Sequence, residues 1–208
     1  HCDQAMLIHQ GQMACIGTPK TVTTVYQRLI NSSASDWHEQ ARILFQELEQ
    51  SSRQPSGHQA AAAHSESSSG WFDPSLTPNN TTTYPSRGLR IETVEVLNQQ
   101  GHSCNLLPQE ALFSVRIRYF ADEAINHLEL ACGITNKSGQ LITGQRFPEL
   151  GRGLEPIHAG QVFSCTFRFR GGLLPDVYFI NAGAWNSPDR RYLHRIVDAC
   201  VIRVLPPE

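Results

Sequence analysis

The chain has 208 residues and is nearly neutral, with 17 Lys and Arg against 19 Asp and Glu and a formal net charge of -2. That length holds one globular domain of ordinary size, or a small domain with long appendages. No basic stripe is present to attract a phosphate backbone, and the apolar runs fall far short of a bilayer span, so neither nucleic-acid binding nor membrane crossing is expected.

The beginning reads as a remnant of something larger. Ala5 to His9 and Met13 to Ile16 are short apolar runs around Gln10-Gly11, the pattern of a hairpin. Thr18 suits an N-cap and Pro19 a first helical position, and a helix to about Ile30 places Val22, Val25, Tyr26 and Leu29 on one face. A second helix runs from about Trp37 to Gln50. Asp36 is placed to cap it, Glu39 stands three residues on, and Trp37, Ala41, Leu44, Phe45 and Leu48 form its apolar stripe. Residues 1–50 therefore form a hairpin-and-helix unit too small to fold alone. From 51 to 70, Ser, Ala, Gln and His dominate and apolar periodicity vanishes, so a flexible linker is expected.

Residues 71–208 change to period two. Phe113, Val115, Ile117 and Tyr119 alternate with Ser114, Arg116 and Arg118, and Phe163 to Phe169 alternate with Ser164, Thr166, Arg168 and Arg170. Further strands are read at Ile91–Leu97, Leu128–Ile134, Leu141–Gly144, Val177–Asn186 and Ile196–Leu205, with Lys137-Ser138-Gly139-Gln140 as a turn. Short strands with no helix between them predict a mainly β, immunoglobulin-like antiparallel β-sandwich. Its core is expected from Phe113, Val115, Ile117, Leu130, Ile134, Phe163, Phe167, Phe169, Tyr178, Ile180, Ile202 and Val204. Four of the six cysteines sit inside such patterns, as small buried hydrophobes. With no paired spacing, free thiols and a reducing cytoplasm are expected.

Catalytic signatures are not found. There is no GxxxxGK[ST], no GxGxxG after a strand, no GxSxG and no HExxH. Most sandwich carboxylates, such as Asp122, Asp176 and Asp189, fall in turns, and His102, His127, His158 and His194 are isolated. No enzyme activity and no metal site are expected of these residues.

Cys2-Asp3-Gln4-Ala5-Met6-Leu7-Ile8, then Gly11 and Gly17-Thr18-Pro19, resembles the tail of an ABC-transporter nucleotide-binding domain, with Gln4 where that family usually has Arg. The same tail joined by a linker to a β-sandwich resembles the Wzt-type ATPases of O-antigen exporters. Trp71-Phe72-Asp73-Pro74, Tyr84, Arg87-Gly88, the Lys137-Ser138-Gly139 hairpin and Leu174-Pro175-Asp176-Val177-Tyr178 are similar to their C-terminal extension. The resemblance implies a module that binds O-antigen polysaccharide and selects it for export. It also implies a cytoplasmic site at the inner face of the inner membrane and a transmembrane subunit as partner. No cofactor is implied for this fragment, ATP and Mg belonging to the full-length parent. Two alternatives stay open: a sandwich that docks the ATPase onto a protein partner, and a glycan-processing enzyme.

By size and by that family's strand pattern, Tyr178, Ile180, Ala182 and Ala184 face the core. Phe179, Asn181, Gly183 and Trp185 then share an open face, where aromatic rings stack on the apolar face of a pyranose. Asn181 and Asn186 are read as hydroxyl partners, and Gly183 as leaving room for a chain. Arg168 and Arg170 are read as further donors if their strand is a sheet neighbour. A register shifted by one residue would instead bury Phe179 and Trp185. A homodimer is expected, and the terminal strand Ile196–Leu205 either pairs within its chain or is exchanged between protomers, hinging on residues 186–191.

Overall fold

The computed structural model describes residues 3–30, 37–52, 70–149, 154, 156–187 and 191–207. The chain divides into two compact units, residues 1–63 and 64–208. In the first, β1 (Ala5–His9) and β2 (Gln12–Gly17) form an antiparallel hairpin, followed by α1 (Pro19–Ile30) and α2 (Trp37–Ser52). The Thr18 hydroxyl accepts from the Thr21 N–H at 3.3 Å, capping α1 as its sequence predicts. Leu7, Cys15, Val22, Val25, Leu29 and Ala41 make a small core. Tyr26 is the exception on the expected face of α1 and lies exposed. The cap read at Asp36 lies outside the described residues, as does most of the linker read at 51–70; α2 runs two residues past Gln50, to Ser52.

The second unit is an antiparallel β-sandwich with one short parallel pairing. Its strands are β3 (Thr82–Thr83), β4 (Leu89–Asn98), β5 (Leu106–Pro108), β6 (Phe113–Ala121), β7 (Leu128–Asn136), β8 (Leu141–Phe147), β9 (Val162–Phe169), β10 (Val177–Asn186) and β11 (Arg191–Leu205). The larger sheet has the order β3-β11-β10-β7-β8, with β5 pairing parallel to β11; the smaller is β4-β6-β9. Eleven of the twelve expected core side chains are buried between the sheets, and the twelfth, Phe163, packs against them from a partly exposed position. This follows from alternation: β6 buries Phe113, Val115, Ile117 and Tyr119 while Arg116 and Arg118 point outward. The five described cysteines are free, and burial raises the thiol pKa to about 11 at Cys104, Cys165 and Cys200.

The last strand is longer than its sequence indicates. β11 begins at Arg191 rather than Ile196 and pairs with β10 of its own chain from Asn186↔Arg191 to Val177↔Arg203. Of the hinge read at 186–191, Asn186 ends β10 and Arg191 opens β11, and 188–190 lie outside the described residues; the strand then continues through 192–195. Their polarity has two causes. Tyr192 and Arg195 face outward, whereas His194 turns inward and its Nδ1 accepts from the Ile91 N–H at 2.9 Å, linking the sheets.

Candidate functional site

The outer faces of the two sheets differ in chemistry. On the smaller sheet the outward cations of β6 are matched: Arg116 meets Glu95 at 3.0 Å and Arg118 meets Glu92 at 2.9 Å. The larger sheet instead carries a groove of about 460 Å³ over β8, β7, β10 and β11, within the size range of ligand sites. Its floor is made by small outward residues, Ala131 and Gly133 on β7, Gly144 on β8 and Gly183 on β10. A Cβ on Gly183 would stand 3.3 Å from the Tyr192 ring, and one on Gly144 3.1 Å from the Cys132 carbonyl oxygen. Glycine thus lets the neighbouring strand and ring approach the backbone closely.

Leu141, Arg146, Trp185, Tyr192 and Arg195 rise around this floor. The last four form a row across the strands. Arg146 lies over the Trp185 ring with its guanidinium carbon 4.6 Å from the centroid, and Trp185 meets Tyr192 edge to face at 5.8 Å. Arg195 lies 5.3 Å from the Tyr192 centroid and 5.6 Å from that of Tyr84. Beneath one end is Glu129, only 1% exposed, whose carboxylate faces Arg146 at 3.6 Å and accepts from the Ser187 hydroxyl. A buried carboxylate needs such partners, and here they also hold Arg146 against the indole.

The register of β10 follows directly. Tyr178, Ile180, Ala182 and Ala184 are buried in the core, and Trp185 and Phe179 are half-buried on the opposite face, so the shifted register does not occur. Trp185, Gly183 and Asn181 line the groove; Phe179 is on the same face but outside it. The Asn181 amide is engaged internally. Its carbonyl accepts from the Asp198 N–H at 2.9 Å, and its NH2 donates to the Thr135 hydroxyl at 3.0 Å.

Asn186 shares the core-facing side of its partner Leu128, and its carbonyl oxygen is buried without a hydrogen-bond partner. It is therefore turned away from the groove by strict alternation along an unbulged pairing. Arg168 and Arg170 also lie elsewhere: β9 pairs with β6 in the smaller sheet, so it is no neighbour of β10. One link crosses the sheet edges, where the Gln145 side chain donates to the Arg168 carbonyl. The residues that sequence reasoning missed are Arg146, Tyr192, Arg195 and Glu129. Strand order brings them to Trp185, and no sequence spacing encodes it.

The second unit is thus an antiparallel sandwich with an aromatic groove on one open face. The model of the Wzt C-terminal domain family matches residues 80–208, more than half of the chain, and the chain belongs to that family. Among solved structures, the crystal structure of the C-terminal domain of Wzt superposes with a TM-score of 0.56 at 14% identity, covering 67% of this chain and 83% of that one. The fold is therefore shared with it. A Niemann-Pick type C2 protein from Japanese carpenter ant is also similar, at a TM-score of 0.40 and 9% identity, covering 60% of this chain and 98% of that one. No curated protein sequence matches the chain. Among the described residues, no helix is long and apolar enough to cross a membrane.

Proposed function

We propose that this chain binds O-antigen polysaccharide through the groove on its larger sheet and so selects the glycan that an ABC exporter carries. One observation supports this most strongly: Trp185 and Tyr192 stand on an outer sheet face beside a floor of glycine and alanine, where a sugar ring has both an apolar surface and room. In soluble domains, half-buried aromatics on an open face are costly unless a partner covers them. Membership of the Wzt C-terminal domain family agrees with the reading.

In this account the chain works at the cytoplasmic side of the inner membrane, beside a transmembrane subunit, as part of an ATPase whose ATP and Mg2+ are held by the full-length parent. It acts as a homodimer, since ABC ATPases work in pairs, and exchange of β11 between protomers is one way of forming it. Retention of the chain on its own strain's O polysaccharide, but not on an unrelated one, tests the central reading.

A protein-docking role has one observation in its favour. Every residue of the edge strand β8 is exposed, including Leu141 at 68% and Phe147 at 50%. Failure of the chain to retain any polysaccharide, together with capture of an exporter subunit by this edge, would replace the glycan reading with the docking one.

A further inference from the structure

Arg195 differs from the cations of β4 and β6 in the smaller sheet. Arg90 meets Asp122 at 3.0 Å, and Arg116 and Arg118 meet Glu95 and Glu92. In the groove, Arg146 has Glu129 at 3.6 Å. Arg195 has no carboxylate partner among the described residues, although it is half-buried. Its guanidinium lies near two rings instead, 5.3 Å from the Tyr192 centroid and 5.6 Å from that of Tyr84. Ring contacts satisfy the faces of a guanidinium, whereas its N–H donors lie in the plane and suit a carboxylate or phosphate.

The groove as a whole is also short of negative charge. No Asp or Glu is among its lining residues, which include both arginines. Glu129 lies buried beneath and answers one guanidinium. A ligand that covers the groove strips water from the other. A neutral sugar then leaves a desolvated cation with hydroxyl partners alone, while an anionic sugar supplies the missing charge.

We propose that the groove recognises an anionic sugar unit, with Arg195 pairing to its acidic group while Trp185 and Tyr192 cover the ring. This rests on the reading that the groove binds glycan and narrows the class of glycan. The acidic group is a carboxylate or a phosphate, two sources of the same charge-assisted contact.

The test uses the full chain and the delipidated O polysaccharide of the strain that encodes it. The polymer is taken native, after chemical reduction of its carboxyl groups, after removal of its phosphates, and after both treatments. Native polymer should bind, and one treatment should weaken binding by about tenfold or more, the loss expected for one charge-assisted contact. Which treatment does so identifies the acidic group. Arg195→Gln should bind native polymer about as weakly as wild type binds the treated one, and Arg195→Lys, which keeps the charge, should retain part of the difference. Melting curves establish that both variants are folded, and the salt dependence of wild-type binding gives a readout that needs no variant. Equal binding of all four polymers, or no effect of Arg195→Gln on native polymer, overturns the inference while leaving the groove as a glycan site. No binding of the native polymer overturns the glycan reading itself, and the inference with it.

Discussion

The side-chain carbonyl of Asn181 accepts a hydrogen bond from the backbone N–H of Asp198 at 2.9 Å, inside a β-bulge. The register of β10 against β11 passes from Ile180↔Cys200 to Ala182↔Ile196, and Asp198 takes a φ of 53° to absorb the extra residues. Asp198 is 2% exposed, so its N–H needs this acceptor. Asn181 therefore holds the strand that carries Arg195 and Tyr192 and does not stand free for a ligand. Asn181→Ala should lower stability by about 1–3 kcal/mol, the cost of one buried unsatisfied donor. A denaturant midpoint equal to that of the wild type would contradict this.

Trp185 and Ile180 sit on opposite faces of one strand and should respond oppositely. Trp185→Ala removes a half-buried ring and should abolish polysaccharide retention while costing well under the roughly 3–5 kcal/mol of a core tryptophan. Ile180→Ala, at a fully buried position, should cost about 2–5 kcal/mol and lower the melting temperature sharply. Melting curves and pull-downs on both variants check the contrast, which fails if Trp185→Ala melts like Ile180→Ala.

The groove exists because its floor lacks side chains. A Cβ on Gly133 would meet only the Leu141 Cδ1 at 3.1 Å, the far end of an exposed side chain. Gly133→Leu should therefore fold, filling the floor and blocking the ligand. Near-wild-type melting with lost retention is the expected result, and undiminished retention would move the site elsewhere.

His194 makes the sandwich sensitive to acid. Burial holds its pKa below the ordinary value, and its Nδ1 lone pair is engaged by the Ile91 N–H. The folded chain thus binds this proton less tightly than the unfolded chain. Its contribution is complete above the unfolded pKa of about 6.5 and is lost as pH falls from there through the lower folded value, by at most about 1.4 kcal/mol per pH unit. Urea midpoints should fall more steeply between about pH 7 and pH 5 in the wild type than in His194→Gln. Parallel curves would remove His194 from the account.

Strand faces were legible in the sequence where pairing is regular. β10 runs against β7 without a bulge, so alternation along Val177–Asn186 gives the side of every residue: Trp185 stands outward as read, whereas Asn186, read as a hydroxyl partner of the ligand, falls on the inward side that the same alternation assigns it. The start of β11 was not legible. Its bulges break period two, and inward His194 and Asp198 give it the polarity of a loop. β3 has two residues and β5 three, ending in Pro108, too few for any pattern. The site was half legible for a related reason. Arg168 and Arg146 both stand exposed on their strands, but only the sheet order shows that β8 belongs to the sheet of Trp185 and β9 does not.

The most direct test of the glycan reading uses the indole N–H signals of the three tryptophans, Trp37, Trp71 and Trp185, in the full chain. Titration with the strain's delipidated O polysaccharide should shift or broaden the Trp185 signal, leave Trp37 and Trp71 in place, and do nothing when an unrelated polysaccharide is added. A Trp185 signal that stays fixed while the polymer is demonstrably bound, or the same shift with every polysaccharide, would contradict a selective glycan site in this groove.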